Sequence, residues 1–239
     1  MRWAAWWCSV LVVTPACGMP ARLGFLPPDS TTAQRPLIWA ETFDRLDPTR
    51  WREVEINRHT DYAAVTLDRR TCLKAQSHDG ASILLTPLNV NPAHYPWLSW
   101  EWRVDRFVEG ESLEEKRGSD ASARLYVYFK TPGLPWQQRN LDYVWSASLP
   151  VGTVLTSAYA SASKIMVVDS GPAAAGQWRR VERNLLEDFR LAFGQEAPEA
   201  VAIGVMTDTD TTHGDALAYF DTIRLSRQST SHALAADGR

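Results

Sequence analysis

The sequence predicts an all-β protein: an antiparallel β-sandwich of jelly-roll type with one short helix. Three observations carry this. Short apolar or alternating runs recur between Leu37 and Leu225, turn-forming residues separate them, and one segment alone repeats its apolar residues at helical spacing. The chain has 239 residues, enough for one sandwich domain with end segments, and 45% apolar residues, enough for a sizeable core.

Met1-Arg2 precedes "WAAWWCSVLVVT", an uncharged run of signal-peptide length that is too short to cross a bilayer as a helix. The small residues of "PACGMPA" suit cleavage. Residues 1–20 are therefore expected to be an export signal, placing the protein in the periplasm or cell envelope with no transmembrane segment in the mature chain. "TPAC" resembles a bacterial lipobox but departs from it at Thr14 and Pro15, so lipid anchoring at Cys17 ranks behind simple secretion. Residues 21–36, rich in Pro with a Ser/Thr cluster, read as a linker or extended arm. The sandwich domain is expected over residues 37–226, and a disordered tail over 227–239.

Within the domain, "LIWAETFDRLDPTRWREVEI" holds a strand, a turn at Asp47-Pro48, and Trp51 opening a second strand. "AAVTLDRRTCLKAQS" carries two strands around a turn near Arg69-Arg70. Cys72 there reads as a small buried strand residue; as the one thiol beyond the N-terminal segments, it has no internal disulfide partner. "ASILLTPLNV" is an apolar strand. In "LSWEWRVDRF", Leu98, Trp100, Trp102 and Val104 share one face, read as core, and charged residues share the other. "VEGESLEEKRGSD" reads as a solvated charged loop. "ARLYVYFK" alternates again, with Arg124, Tyr126 and Tyr128 opposite Leu125, Val127 and Phe129. "LDYVWSAS" and "KIMVVDS" add two strands. "RNLLEDFRLAFG" spaces Leu185, Leu186, Phe189 and Phe193 as a helix, with Gly194 as its C-cap. "AVAIGVMTD" and "ALAYFDTIRL" are the last strands.

The formal net charge of -3 and the lack of a basic run argue against nucleic-acid binding. Eleven Trp, against seven Tyr and seven Phe, exceed what a core alone requires and suit a stacking surface. A sugar site needs exposed rings for the C–H face of a pyranose and planar polar groups for its hydroxyls. Tyr126, Tyr128, Trp136, Tyr143 and Trp145 are the candidate rings, with Asp120 and Arg124 as polar partners. Arg124 has a second reading as a surface ion pair. Trp178 fits either core or surface. His59, His78, His94, His213 and His232 lack metal-ligand spacing.

"DTDTTHGD", between the last two strands, has three readings. It is a polar turn, a metal site using Asp208 and Asp210, or a catalytic carboxylate group. Asp221, placed by alternation on the face of Tyr219, Ile223 and Leu225, needs a cation or strong hydrogen bonds if that face is inward. A hydrolase would need two carboxylates flanking one bond. Glu101, Asp120 and Asp188 are available, but no motif brings them together.

"ASARLYVYF", "LDYVWS", "QWRRVERNLLEDFRLAFG" and "GVMTDTDTTHGDALAYFDTI" together resemble the bacterial DUF3047 family, across Leu37 to Leu225. After Asp120, "GSDASARL" lacks the second acidic residue and the aromatic of that family's pattern. "AETFDRLDPTRW" and "AYFDTIRL" look like the opening and closing strands of carbohydrate-binding jelly rolls. That resemblance implies adjacent terminal strands sharing a structural calcium, with Glu41 and Asp221 as ligands. The leading expectation is non-catalytic binding of a carbohydrate or envelope glycan. The alternatives are a polysaccharide hydrolase or lyase on the same fold, and a structural envelope protein whose sheet face binds another protein.

Overall fold

The computed structural model describes residues 37–132 and 138–229. The expected export signal with Cys17, the linker, Trp136 and the tail beyond Ser229 lie outside the described residues.

The strands are β1 (Leu37–Glu41), β2 (Arg52–Asn57), β3 (Thr60–Leu67), β4 (Arg70–His78), β5 (Ala81–Val90), β6 (Trp97–Arg106) and β7 (Ala123–Phe129). They continue with β8 (Arg139–Ser146), β9 (Val154–Thr156), β10 (Ser163–Ser170), β11 (Arg179–Asn184), β12 (Ala200–Met206) and β13 (Asp215–Ser226). The helix α1 spans Leu185–Phe193. The first sheet is ordered β11-β6-β13-β4-β3, with β1 also on β13; the second is β2-β5-β12-β7-β8-β10-β9. Pairing is antiparallel except between β8 and β10. Parallel neighbours need a long crossover, and residues 147–162, which include β9, supply it.

The core lies where alternation places it. Trp100 and Trp102 of β6 meet Tyr143 and Trp145 of β8 across the sandwich, at centroid separations of 5.2 and 5.9 Å. Leu125, Val127 and Phe129 face the same interior. Aromatic pairs of this kind add about 1 kcal/mol each beyond buried area. Cys72 is buried, as expected, and burial pushes its thiol up to about 11. The helix closes one end, stacking Phe189 between Phe129 (4.7 Å) and Phe193 (4.5 Å). Asn184 caps it, accepting from the Leu186 and Glu187 amides, and Gly194 ends it at φ 66°. Asp188, inside the helix, is buried and accepts from the Tyr143 hydroxyl and Arg183 Nε, both at 2.8 Å.

Three expectations change. The polar stretch after Met206 joins no hairpin: β12 and β13 belong to different sheets, so residues 207–214 cross from one layer to the other. Asp221 does not share a face with Ile223 and Leu225. A bulge with Thr222 at φ 51° shifts the phase, so Ala218, Phe220, Ile223 and Leu225 all face the core while Asp221 faces away. The 107–122 segment is only partly solvated. Leu113 and Ala121 pack with Val144 and Ile165, so this loop folds over one end of the second sheet's outer face.

Candidate functional site

That loop divides the outer face of the second sheet into a covered end and an open end. At the covered end, Arg124 is 4% exposed, so it is not a surface ion pair. Its Nε donates to Asp208 Oδ1 (2.9 Å), its Nη1 to Asp142 Oδ2 (2.5 Å), and its Nη2 to the Ser119 carbonyl. A guanidinium taken out of water needs such partners, because an uncompensated buried charge is costly. Asp142 is equally buried, and its Oδ1 has no hydrogen-bond partner among the described residues. Burial raises its carboxyl above the usual range, against the pull of Arg124.

Asp120 does not hold Arg124. It accepts from the Thr211 amide, the Thr212 amide (2.7 Å) and Thr212 Oγ1 (2.7 Å), fixing the inter-sheet crossing. This places Asp120, Asp208 and Asp210 together, each offering an oxygen within 4.8 Å of the others. Burial pushes the Asp208 carboxyl up to about 7, with Arg124 opposing and the Asp120 charge adding. The Asp210 carboxyl is also raised by burial, although Asn57 donates to it at 3.2 Å. Of the three carboxylates only Asp208 meets a cation, Arg124, among the described residues, so the set favours a further cation or protons. Oxygen-only ligands of this kind suit calcium. A depression of about 500 Å³ opens beside the group, between Glu109-Gly110, Arg117-Gly118 and Thr211–His213.

At the open end, Tyr126 and Tyr128 project outward half-buried, with rings stacked at 5.8 Å and 25°. Their cross-strand neighbours are Asp142 and Asn140 on β8, and Gly204 and Ala202 on β12. Leu85, Ile83 and Met206 complete the apolar surround. Gly204 is tightly covered by its neighbours: a Cβ there would lie 2.6 Å from Leu85 Cδ2 and 2.9 Å from Ile83 Cδ1.

Tyr143 and Trp145 do not join this surface. They share the inward parity of Leu141 on β8 and are fully buried. The Tyr143 hydroxyl serves Asp188, and Trp145 Nε1 donates to the Gly171 carbonyl at 3.1 Å. Their expected place is taken by Asp142 and Asn140, the intervening residues of "NLDYVW", which period-two reading of that strand could have assigned outward.

Glu41 and Asp221 have separate sets of partners. Glu41 accepts from the Thr42 and Phe43 amides and from Trp51 Nε1 (2.8 Å), with Arg50 at 3.2 Å, and so fastens the turn after β1. Asp221 accepts from Arg70 Nε (2.8 Å) and the Thr222 amide (2.6 Å). Arg70 also reaches Glu101, and its guanidinium lies 4.2 Å from the Trp178 ring. An arginine thus pairs with each of the two residues expected to hold calcium. Glu101, Asp120 and Asp188 are held by three separate partner sets, so they form no flanking pair.

Two twisted sheets around one aromatic core, with one outer face part covered and part open, define a β-sandwich of jelly-roll type. The model of "Protein of unknown function (DUF3047)" matches residues 49–224, and the chain belongs to that family. None of the curated proteins matches it. Among solved structures, it is similar to the family 11 carbohydrate-binding module from Clostridium thermocellum (10% identity, 78% of this chain and 92% of that one, TM-score 0.40). It is also similar to the CBM22-1 xylan-binding domain from Paenibacillus barcinonensis Xyn10C (12%, 81% and 96%, 0.41). A third is the K3 cleaved adhesin domain of Lys-gingipain from Porphyromonas gingivalis (13%, 80% and 98%, 0.40). Among the described residues, no helix is long and apolar enough to cross a membrane.

Proposed function

We propose that this is an exported, non-catalytic protein that binds a carbohydrate or envelope glycan on the open end of the second sheet. Residues 1–20 would direct the export. The observation that carries the reading is the stacked Tyr126–Tyr128 pair, half-buried on the outer face of the second sheet. Ring faces take the C–H side of a pyranose. The buried Arg124 network fixes the strand beneath the rings, so the platform is preorganised and little ordering cost falls on binding. Calcium at Asp120, Asp208 and Asp210 would fix the crossing loop in the same way.

Calorimetric titration of the mature protein with a panel of neutral and acidic oligosaccharides tests this. Wild type should bind at least one, and Tyr126→Ala should weaken that binding at least tenfold with the melting temperature nearly unchanged. Unchanged binding would move the site elsewhere. A hydrolase reading has one observation in its favour: a carboxyl poised near neutrality at Asp208, as a general acid requires. Reducing-end release from the bound oligosaccharide, lost in Asp208→Asn, would establish it in place of simple binding.

A further inference from the structure

A sheet ends in edge strands whose free amide and carbonyl groups can take up a further strand, and sequences blunt such edges with charge, bulges or short length. The edges here are mostly blunted. β2, "REVEIN", has three charged residues in six, and β11, "RRVERN", has four. β9 is three residues long, and β1 is five long with a bulge between Leu37 and Trp39. β3 has none of these devices. It is eight residues long, "TDYAAVTL", with Asp61 as its one charge and no Pro or Gly. Its register with β4 runs from Thr60–Ser77 to Leu67–Arg70 without a shift. Among the described residues, no strand pairs with its other side.

The charges at the two ends of this edge are complementary. Asp61 stands at the start of β3, and Arg69 in the two-residue turn after it, where Asp68 and Arg69 have φ 52° and 65°. Both Asp61 and Arg69 are exposed. Asp68 pairs with Arg103 and Arg70 with Asp221, whereas Asp61 and Arg69 have no ion-pair partner among the described residues. An edge with an unpaired acid at one end and an unpaired base at the other complements itself when two copies run antiparallel. Parallel pairing would set Asp61 beside Asp61. Tyr62 packs on the core, so by alternation Ala63, Val65 and Leu67 lie on the outer face. Residues directly opposite in a sheet share a face, so a two-fold register centres on a single residue. Centring on Val65 sets Ala63 against Leu67 and brings Asp61 of each copy beside the turn that carries Arg69 of the other.

We propose that β3 is a self-association edge: two copies of this chain pair β3 to β3, antiparallel about a two-fold axis at Val65, and their first sheets become one continuous sheet. Main-chain hydrogen bonds supply the attraction, and Ala63, Val65 and Leu67 of both copies cover one another on the outer face. The two Asp61–Arg69 pairs set direction and register. The proposal is independent of the glycan-binding reading, since β3 belongs to the other sheet from Tyr126 and Tyr128.

Sedimentation equilibrium of the mature protein tests this. Wild type should dimerise in the micromolar range. Val65→Lys puts a charge at the centre of the edge and should leave monomer with an unchanged circular dichroism spectrum. Asp61→Arg and Arg69→Asp should each weaken the dimer about fivefold or more, because each sets like charges together at both ends. The double variant Asp61→Arg/Arg69→Asp should recover wild-type affinity, and Asp tolerates the positive φ at position 69. On oxidation, Val65→Cys should form a disulfide across the axis, where the two residues face each other, and Ala63→Cys should not. Monomer throughout the micromolar range would overturn the proposal and leave the edge to a strand from another protein. A dimer that survives Val65→Lys would place the contact on a different surface and overturn it too. Cross-linking through Ala63→Cys in place of Val65→Cys, or a double variant as weak as the single ones, would overturn the register.

Discussion

Arg124 Nε and Asp208 Oδ1 meet at 2.9 Å beneath the loop of residues 107–122, joining β7 to the crossing between the two sheets. Each explains the other's burial. The guanidinium is tolerated because Asp208, Asp142 and the Ser119 carbonyl receive it, and the carboxylates are tolerated because it is there.

Arg124→Met should therefore leave two buried carboxylates unpaired and destabilise the fold by about 3–5 kcal/mol. Urea unfolding with an unchanged m-value would measure this. Arg124→Lys should recover little, since an ammonium cannot serve three acceptors in a fixed plane. A loss below about 1 kcal/mol, the range of exposed pairs, would contradict the buried network.

The Asp208 carboxyl, ordinarily near 3.8, is raised to about 7 in the folded chain. Between those values the native state holds a proton that the unfolded chain has released. Stability contributed by that proton is complete below about pH 4 and lost as pH rises through about 7. Metal-free protein should melt progressively lower across this window, and Asp208→Asn should flatten the trend. Calcium binding only the native state should raise the melting temperature at pH 7, and the rise should continue with the logarithm of calcium concentration. A pH-independent melting temperature would show that Asp208 ionises normally.

Asp221→Ala should lower the melting temperature more than Asp210→Ala in metal-free protein. Asp221 is buried and accepts from the half-buried Arg70 and the Thr222 amide, so its loss removes a charged hydrogen bond, at a cost of about 1–3 kcal/mol. Asp210 stands in a group of like charges, so its removal relieves repulsion. Paired thermal melts would decide, and an equal drop would remove the special role of Asp221.

Asn184→Ala should cost about 1 kcal/mol through the lost helix cap. Asn184→Asp should recover only part of this, because a carboxylate accepts the same amides but cannot donate to Glu187 Oε1 as the Asn184 amide does. Denaturant midpoints of the two variants would check this.

Most strands were legible because they are amphipathic at period two, as in "LSWEWRVDRF", or continuously apolar, as in "ASILLTPLNV". The edge strand β11 was not, since "RRVERN" buries Val181 alone. The three-residue β9 was too short to carry a pattern. Tyr126 and Tyr128 were correctly placed opposite the core, but Tyr143 and Trp145 were grouped with them because ring type outweighed their inward parity. The phase shift at Thr222 is a single-residue event that alternation cannot register. The gathering of Asp120 with Asp208 and Asp210 joins residues almost ninety positions apart, with β7 to β12 and the helix between them, and only the tertiary fold creates it.

The position of β13 has a further consequence. This last strand lies between β6 and β4 in the first sheet and also receives β1, so Leu37 stands opposite Ser226. The first sheet cannot close until residue 226 has been synthesised, whereas β5, β12, β7 and β8 of the second depend on nothing beyond Met206. Contacts of such long sequence separation form slowly. The emerging chain therefore lacks a complete sandwich for nearly its whole length, and a polypeptide threaded linearly through a narrow channel would meet no finished domain that it must first unravel.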